Sequence, residues 1–172
     1  DYEVGAFIDG ECRAVAGVSS FLLQSRVNMV LMRIPGNMTP GSTEDDGKTI
    51  TFRVYNSSTG YEYDLTSSKT VVFGDENSAN PVLTLKVATN IDLDDIEMNV
   101  NESVDLMSKV KPVPADASLP LNATPTWRVN DNYVSLVGNT VTANNPTTAN
   151  GTTYSVSYGG YAARGMMYIF NP

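Results

Sequence analysis

Apolar and polar residues alternate with a period of two along most of the chain, and no stretch keeps a helical period for long. The clearest example is Lys48–Tyr55, where Ile50, Phe52 and Val54 are predicted to face a core. Further strands are predicted at Val27–Ile34, Tyr61–Leu65, Thr70–Phe73, Val82–Val87, Ile96–Val100, Val104–Leu106, Val110–Val113, Thr126–Val129, Tyr133–Val137, Thr140–Ala143, Thr153–Tyr158 and Met166–Phe170. About seven short strands in each half have the spacing of a β-sandwich or a β-barrel, and we predict an all-β fold of two tandem β-sandwich domains.

The first of these elements is a hairpin at Val4–Ala16, because Asp9-Gly10 favours a two-residue type I′ turn. The turn sets the register and therefore predicts which face is buried. On the core-facing side, the predicted pairs are Phe7 with Cys12 and Gly5 with Ala14. On the half-exposed side, the predicted residues are Ala6, Ile8, Glu11 and Arg13. Because the chain begins abruptly at this hairpin, we also expect a mature or trimmed chain, in which a first strand that would pair with the hairpin can be missing.

The composition changes at Ala88–Asp95, after which the alternating pattern starts again. We therefore place the domain boundary at this stretch, with a first domain at residues 1–88 and a second at residues 89–172.

Charge and composition exclude several functions. The net charge is −8 and the calculated pI is about 4.4, which argues against nucleic acid as a partner. Histidine is absent, so the commonest general base and metal ligand is missing, and we predict no enzyme and no cofactor. Cys12 is the only cysteine and is predicted to pack as a small apolar residue. No apolar run is long enough for a transmembrane segment.

The second half resembles a group-two bacterial Ig-like domain. The resemblance is carried by VNESVDL at Val100–Leu106, VKPVPADA at Val110–Ala117 and YVSLVGNTVTA at Tyr133–Ala143, together with the Trp-bearing strand between them. One departure is the segment Asn144–Asn150, which is longer than the link in that family. The resemblance implies that the second sandwich is Ig-like.

The first half resembles a module of surface proteins from gut-dwelling anaerobic Gram-negative bacteria. The matching motifs are VGAFIDGECRAVA at Val4–Ala16 and the hairpin at Ile50–Tyr63. This resemblance implies an extracellular or cell-surface location, associated with the outer membrane, and a modular architecture.

Tyrosines supply the candidate binding residues. Tyr61 and Tyr63 share one strand face beside a loop, and Tyr161 follows Gly159-Gly160 in a predicted turn with an exposed ring. These three are the candidate ligand-binding residues, as contacts to a carbohydrate. For Tyr61 and Tyr63 the favoured interpretation is a cross-strand aromatic pair, with sugar stacking as the alternative. Three other tyrosines are expected to pack across the last two strands, namely Tyr154, Tyr158 and Tyr168.

The remaining candidates are one tryptophan and two acidic loops. Trp127 is predicted in the core, with a sugar-stacking platform as the alternative. The loops Glu44–Asp46 and Asp92–Asp95 have the oxygen chemistry of a cation site, but their spacing favours solvated turns, so we predict no metal.

These observations favour a non-enzymatic cell-surface or secreted protein, used in adhesion, in presentation or as a spacer. The alternative is a carbohydrate-binding accessory module of a glycan-utilisation system. The corresponding partners are a host or polysaccharide surface ligand, and an unpaired edge strand would allow strand-mediated self-association.

Overall fold

A computed structural model describes residues 2–17, 19–20, 28–29, 32–36 and 43–172. Within them the fold is all-β, with strands and two short 3₁₀-helices as the regular elements. The chain divides into two compact units. Unit 1 contains Asp1–Leu85 and Pro120–Asn122, and unit 2 contains Lys86–Leu119 and Ala123–Pro172. The division thus differs from the predicted boundary after Ala88.

Unit 1 has one principal sheet. The strands are β1 (Tyr2–Ile8), β2 (Glu11–Gly17), β3 (Ser19–Ser20), β4 (Asn28–Met29), β5 (Thr49–Asn56), β6 (Tyr61–Asp64), β7 (Thr66–Ser67), β8 (Val71–Val72) and β9 (Leu83–Thr84). A 3₁₀-helix spans Glu76–Ser78. The sheet runs β2-β1-β5-β6, β8 also pairs with β5, and β3–β4 and β7–β9 form separate pairs. The segment Pro120–Asn122 bonds to the β6 edge, where the Leu121 amide donates to the Glu62 carbonyl at 2.8 Å.

The core of unit 1 lies on one face of this sheet. Its buried residues alternate along β1 and β5, as the period-two pattern of Lys48–Tyr55 predicts. They are Val4, Ala6, Ile8, Ile50, Phe52, Val54, Tyr63 and Val71. Partly buried side chains from the following loops and strands cover them, among them Met32, Ile34, Phe73 and Leu83. The predicted strand Val27–Ile34 is described only at Asn28–Met29 and 32–34, and its other residues lie outside the described ones.

The hairpin has the predicted turn, but its buried face was predicted wrongly. Asp9 and Gly10 have φ of 52° and 78°, as a type I′ turn requires, and Phe7 lies opposite Cys12. Arg13 then forms an irregularity, so Ala14 lies opposite Ala6 and not Gly5. Ala6 and Ile8 are fully buried, whereas Cys12 is exposed.

The physical reason for the opposite face lies in the neighbouring strand. β5 pairs with β1 so that Ala6 lies beside Phe52, and the inward alternation of β5 therefore fixes which side of β1 is buried. Phe7 is left on the other face, where the Arg53 guanidinium lies 4.5 Å from its ring centroid.

Unit 2 contains the remaining strands. They are β10 (Asn90–Leu93), β11 (Ile96–Asn99), β12 (Ser103–Asp105), β13 (Val110–Val113), β14 (Thr126–Arg128), β15 (Val134–Val137), β16 (Thr140–Ala143), β17 (Thr152–Tyr158) and β18 (Tyr161–Phe170). A second 3₁₀-helix spans Leu106–Lys109. One sheet runs β11-β18-β17-β14, another runs β12-β16-β15, and β10 pairs with β13.

The sheets of unit 2 contribute to a single core. It contains Ile91, Leu93, Ile96, Met98, Leu106, Val110, Val134, Val141, Ala143, Tyr154, Val156, Tyr158, Met167 and Ile169. Every sheet of the unit supplies at least one of these side chains, which is the packing of a β-sandwich.

Two strands in unit 2 differ from the prediction. The stretch Ala88–Asp95, where the domain boundary was placed, contains β10, which was not predicted; its Ile91 and Leu93 are buried and the strand pairs with β13. The last strand begins at Tyr161 and not at Met166. Its first half contains residues of low strand propensity, and pairing with β17 overrides that propensity.

Candidate functional site

The two tyrosines predicted on β6 point towards the core of unit 1. Tyr63 is buried at 9% exposure, and Tyr61 packs partly buried against the same core. The shared strand face was therefore predicted correctly, but it is the inner face of the sheet. Tyr63 is unavailable for stacking on a sugar, and a ligand role for Tyr61 stays a prediction.

Tyr161 is not an exposed turn residue. It is the first residue of β18, it is half-buried against the core of unit 2, and its hydroxyl donates to the Ala88 carbonyl. Gly159 and Gly160 form the turn before it. Tyr161 belongs to unit 2, whereas the β6 tyrosines belong to unit 1. A ligand role for Tyr161 stays a prediction.

Trp127 packs against the core of unit 2. Its ring stacks on Tyr154 with centroids 6.3 Å apart, and its Nε1 donates to the Asn139 side chain at 3.0 Å. The favoured core interpretation of this tryptophan is consistent with these contacts. Burial raises the pKa of the Tyr154 hydroxyl, and the charges of Asp94 and Asp95 raise it further.

The first acidic loop supplies a buried ion pair. Asp45 is only 2% exposed, and its carboxylate accepts from the Arg13 guanidinium at 2.8 and 3.4 Å and from Lys48 Nζ at 3.3 Å. Burial alone would raise the pKa of Asp45, but the hydrogen bonds from Arg13 and Lys48 outweigh it and hold that pKa below its ordinary value. The expectation of a solvated turn is therefore wrong for Asp45, whose oxygens are already paired with cations.

The second acidic loop is engaged with its own surroundings. Asp94 lies 3.7 Å from Lys111 Nζ, and the Asp95 carboxylate accepts the Met166 amide at 3.0 Å. Across the described ranges of the chain, no three acidic or cysteine side chains are grouped closely enough to hold a metal ion.

A groove opens on the outer face of the four-stranded sheet of unit 2, meaning the face opposite the core. We call it the end groove; its volume is about 440 Å³. It is lined by Glu97, Thr147, Thr148, Ala149, Tyr168, Ile169 and Phe170. Concave sites of a few hundred cubic ångströms with a few polar groups are typical of ligand pockets.

Strand alternation places the aromatic rings in this groove. Met167 and Ile169 point into the core, so Tyr168 and Phe170 point outward from the same strand. Glu97 lies beside Tyr168 across the parallel pair β11–β18 and is exposed. Tyr168 lies on the outer face beside Gly151, the residue immediately before β17, whereas Tyr154 and Tyr158 are buried in the core.

The loop between β16 and β17 forms one wall of the groove. β17 begins at Thr152, opposite Met167, and the preceding loop continues the pairing along β18. The Thr147 amide donates to the Ile169 carbonyl at 3.0 Å, and the Thr147 Oγ1 accepts a hydrogen bond from the Ile169 amide at 3.1 Å. Gly151 has φ of 65°, and a Cβ there would lie 2.6 Å from the Met167 carbonyl oxygen and 2.9 Å from the Tyr168 ring. A residue without a side chain thus lets Tyr168 lie against the loop.

The polar groups of the groove are available to a ligand. Within the described part of the chain, the carboxylate of Glu97 makes no hydrogen bond or ion pair, and Thr148 is exposed. Phe170 is 52% exposed, so its ring is accessible to a ligand. The groove therefore combines aromatic surface with an unpaired hydrogen-bond acceptor.

The sequence carried a signal for this site. The segment Asn144–Asn150, which departs from the resembled family, is the loop that forms the wall. The outward alternation of Tyr168 and Phe170 was also readable once Met167 and Ile169 were assigned inward. What the sequence could not show was that Thr147 bonds to β18.

The comparisons with known proteins give a likeness to solved structures alone. No family model matches the chain, and no curated protein matches it. Among solved structures, the chain is similar to the full ectodomain (Ig1–Ig3) of mouse nectin-like molecule 4, with 13% sequence identity and a TM-score of 0.29. The alignment covers 100% of this chain and 55% of the other, so the chain spans about half the length of that ectodomain. In the described residues, no helix has the length and apolar character needed to cross a membrane.

Proposed function

We propose that the chain is a non-enzymatic adhesion module of a bacterial surface or secreted protein, and that it binds a carbohydrate in the end groove. The observation that carries the proposal is the combination of the outward rings of Tyr168 and Phe170 with the unpaired carboxylate of Glu97. The resemblances of the two halves to surface modules support the cellular setting.

The chemistry of the groove fits a sugar ring. The C–H faces of a sugar are apolar and pack against aromatic side chains, while its hydroxyls donate to carboxylates. Tyr168 and Phe170 are two residues apart on one strand, so their Cβ atoms are about 7 Å apart along the groove. Glu97 lies beside Tyr168 across the pair β11–β18, where its carboxylate can accept a hydrogen bond from a sugar hydroxyl.

The experiment that tests this function is binding of the purified chain to a glycan panel that includes host mucin and plant polysaccharides. We expect Phe170→Ala and Glu97→Gln each to lower the affinity for a glycan that binds specifically. Combined, the two changes should lower that affinity about tenfold, since an aromatic contact contributes about 0.5–1.5 kcal/mol. The matched control is Val137→Ser, because Val137 is 81% exposed on β15 in another sheet of unit 2.

The outcomes separate the candidate functions. Binding that Phe170→Ala weakens and Val137→Ser leaves unchanged supports the end groove. Binding weakened instead by Tyr61→Ala would return the site to unit 1. If the folded chain binds no glycan, the carbohydrate function is refuted and a spacer or protein-adhesion role takes its place.

A further inference from the structure

Two arginines lie in one row across the outer face of the same sheet. Arg128 on β14 lies opposite Ser155 on β17, and Ser155 lies opposite Arg164 on β18. The two arginine Cα atoms are therefore two strand spacings apart, about 10 Å. Both side chains are exposed, and a guanidinium from each side can reach the space above Ser155.

Small side chains form the floor between the arginines. The depression there measures about 720 Å³. Beside the arginines, its outward residues are Thr126, Ser155, Ser157 and Ala162. Short side chains keep the floor low, and three of the four carry a hydroxyl that can donate to an anion.

Neither arginine has a partner among the described residues, although the chain is acidic. The ion pairs among the described residues of unit 2 use lysines instead: Lys86 pairs with Asp116, and Lys111 pairs with Asp94. The carboxylate of Asp95 reaches β18 but accepts the Met166 amide rather than an arginine. Two guanidinium groups without a carboxylate partner among the described residues thus lie in one row, although the net charge of the protein is −8.

We propose that this arginine row binds the carboxylate or sulfate group of an acidic saccharide whose neighbouring sugar occupies the end groove. The inference rests on the proposed function. Arginine presents two parallel N–H donors to a carboxylate or sulfate oxygen pair, and two arginines flanking one position are complementary to a single anion.

The position of the row favours a saccharide over an acidic peptide. Arg164 and Tyr168 both point outward from β18 and lie four residues apart, which is about 13 Å along the strand. A ligand of two or three sugars is long enough to contact both. The aromatic rings of the end groove then stack on one sugar, and the arginine row selects a saccharide that carries a negative charge.

The test compares matched ligands by isothermal titration calorimetry. The probes are an oligomer of galacturonic acid with its methyl ester, a sulfated galactan oligomer with its desulfated form, and a glutamate hexamer. We expect Arg128→Gln and Arg164→Gln each to weaken the charged saccharide about tenfold or more, because hydrogen bonds between charged groups are strong. The uncharged form should bind all variants alike.

Two controls isolate the guanidinium. Lys109→Gln removes one positive charge elsewhere in unit 2 and should leave binding unchanged, while Arg164→Lys keeps the charge but loses the paired donors. Higher salt should weaken the charged ligand more than its neutral form. Circular dichroism of each variant confirms that it is folded.

The possible outcomes test the arginine row and the end groove separately. If charged and neutral saccharides bind equally and the arginine variants change nothing, the arginine row is refuted and the end groove stands. If no saccharide binds, both proposals are refuted. Binding of the glutamate hexamer with the arginine dependence, without the saccharides, would assign the row to an acidic peptide and overturn the proposal.

Discussion

Replacing Gly151 by alanine should destabilise unit 2 more than the same change at another glycine of positive φ. Gly151 has φ of 65°, and the left-handed conformation costs an L-residue about 1–2 kcal/mol. The new Cβ would also lie 2.6 Å from the Met167 carbonyl oxygen, which is backbone and cannot move freely. Overpacking of this kind costs about 1–3 kcal/mol, so the sum is about 2–5 kcal/mol.

Gly160 is the matched control. It has φ of 87° in the turn between β17 and β18, and a Cβ there would meet nothing within 4 Å. Gly160→Ala should therefore cost only the conformational part, about 1–2 kcal/mol. The difference between the two variants, about 1–3 kcal/mol, measures the close approach of the loop to β18.

Urea unfolding followed by tryptophan fluorescence is the assay. Trp127 is the only tryptophan and packs against the core of unit 2, so its signal reports on that unit. Gly151→Ala should also weaken glycan binding, because the Tyr168 ring must move. Equal losses of stability in the two variants would refute the described packing of the loop against Met167 and Tyr168.

The remaining predictions concern charge, burial and the hairpin face. The pKa of Asp45 is lowered in the folded state, so its contribution is present above the ordinary aspartate pKa and is lost as the pH falls through the folded pKa. At neutral pH the Asp45→Asn variant should therefore unfold at a lower temperature than the parent chain. As the pH falls, its unfolding temperature should decrease less than that of the parent chain. The pKa of Tyr154 is raised, so the unfolded chain ionises first, and stability should fall as the pH rises above about 10. Tyr154→Phe should reduce that alkaline loss in fluorescence-detected unfolding; an unchanged slope would contradict it. Ile8→Ala should cost about 2–5 kcal/mol, whereas Cys12→Ala should stay within about 0.5 kcal/mol. Similar losses at both positions, measured by circular dichroism, would contradict the described inner face of β1.

Most of the fold was readable from local pattern. The alternation in Lys48–Tyr55 predicted β5 and its inward residues, and Asp9-Gly10 predicted the turn of the first hairpin. These features depend on neighbours in sequence, on turn chemistry and on the strand period of two. The residues of the candidate site were not predicted from the sequence, since none of the predicted ligand residues lines the end groove.

The sequence by itself determined that the described chain is all-β, where most strands lie and that its surface is acidic. Only the tertiary structure decided which face of a strand such as β1 is buried, because there the choice depends on the partner strand. Ala6 and Ile8 point inward because β5 pairs beside them, and Tyr168 points outward because Met167 and Ile169 fill the core. The end groove and the arginine row exist for the same reason: residues distant in sequence meet only when strands pair in register.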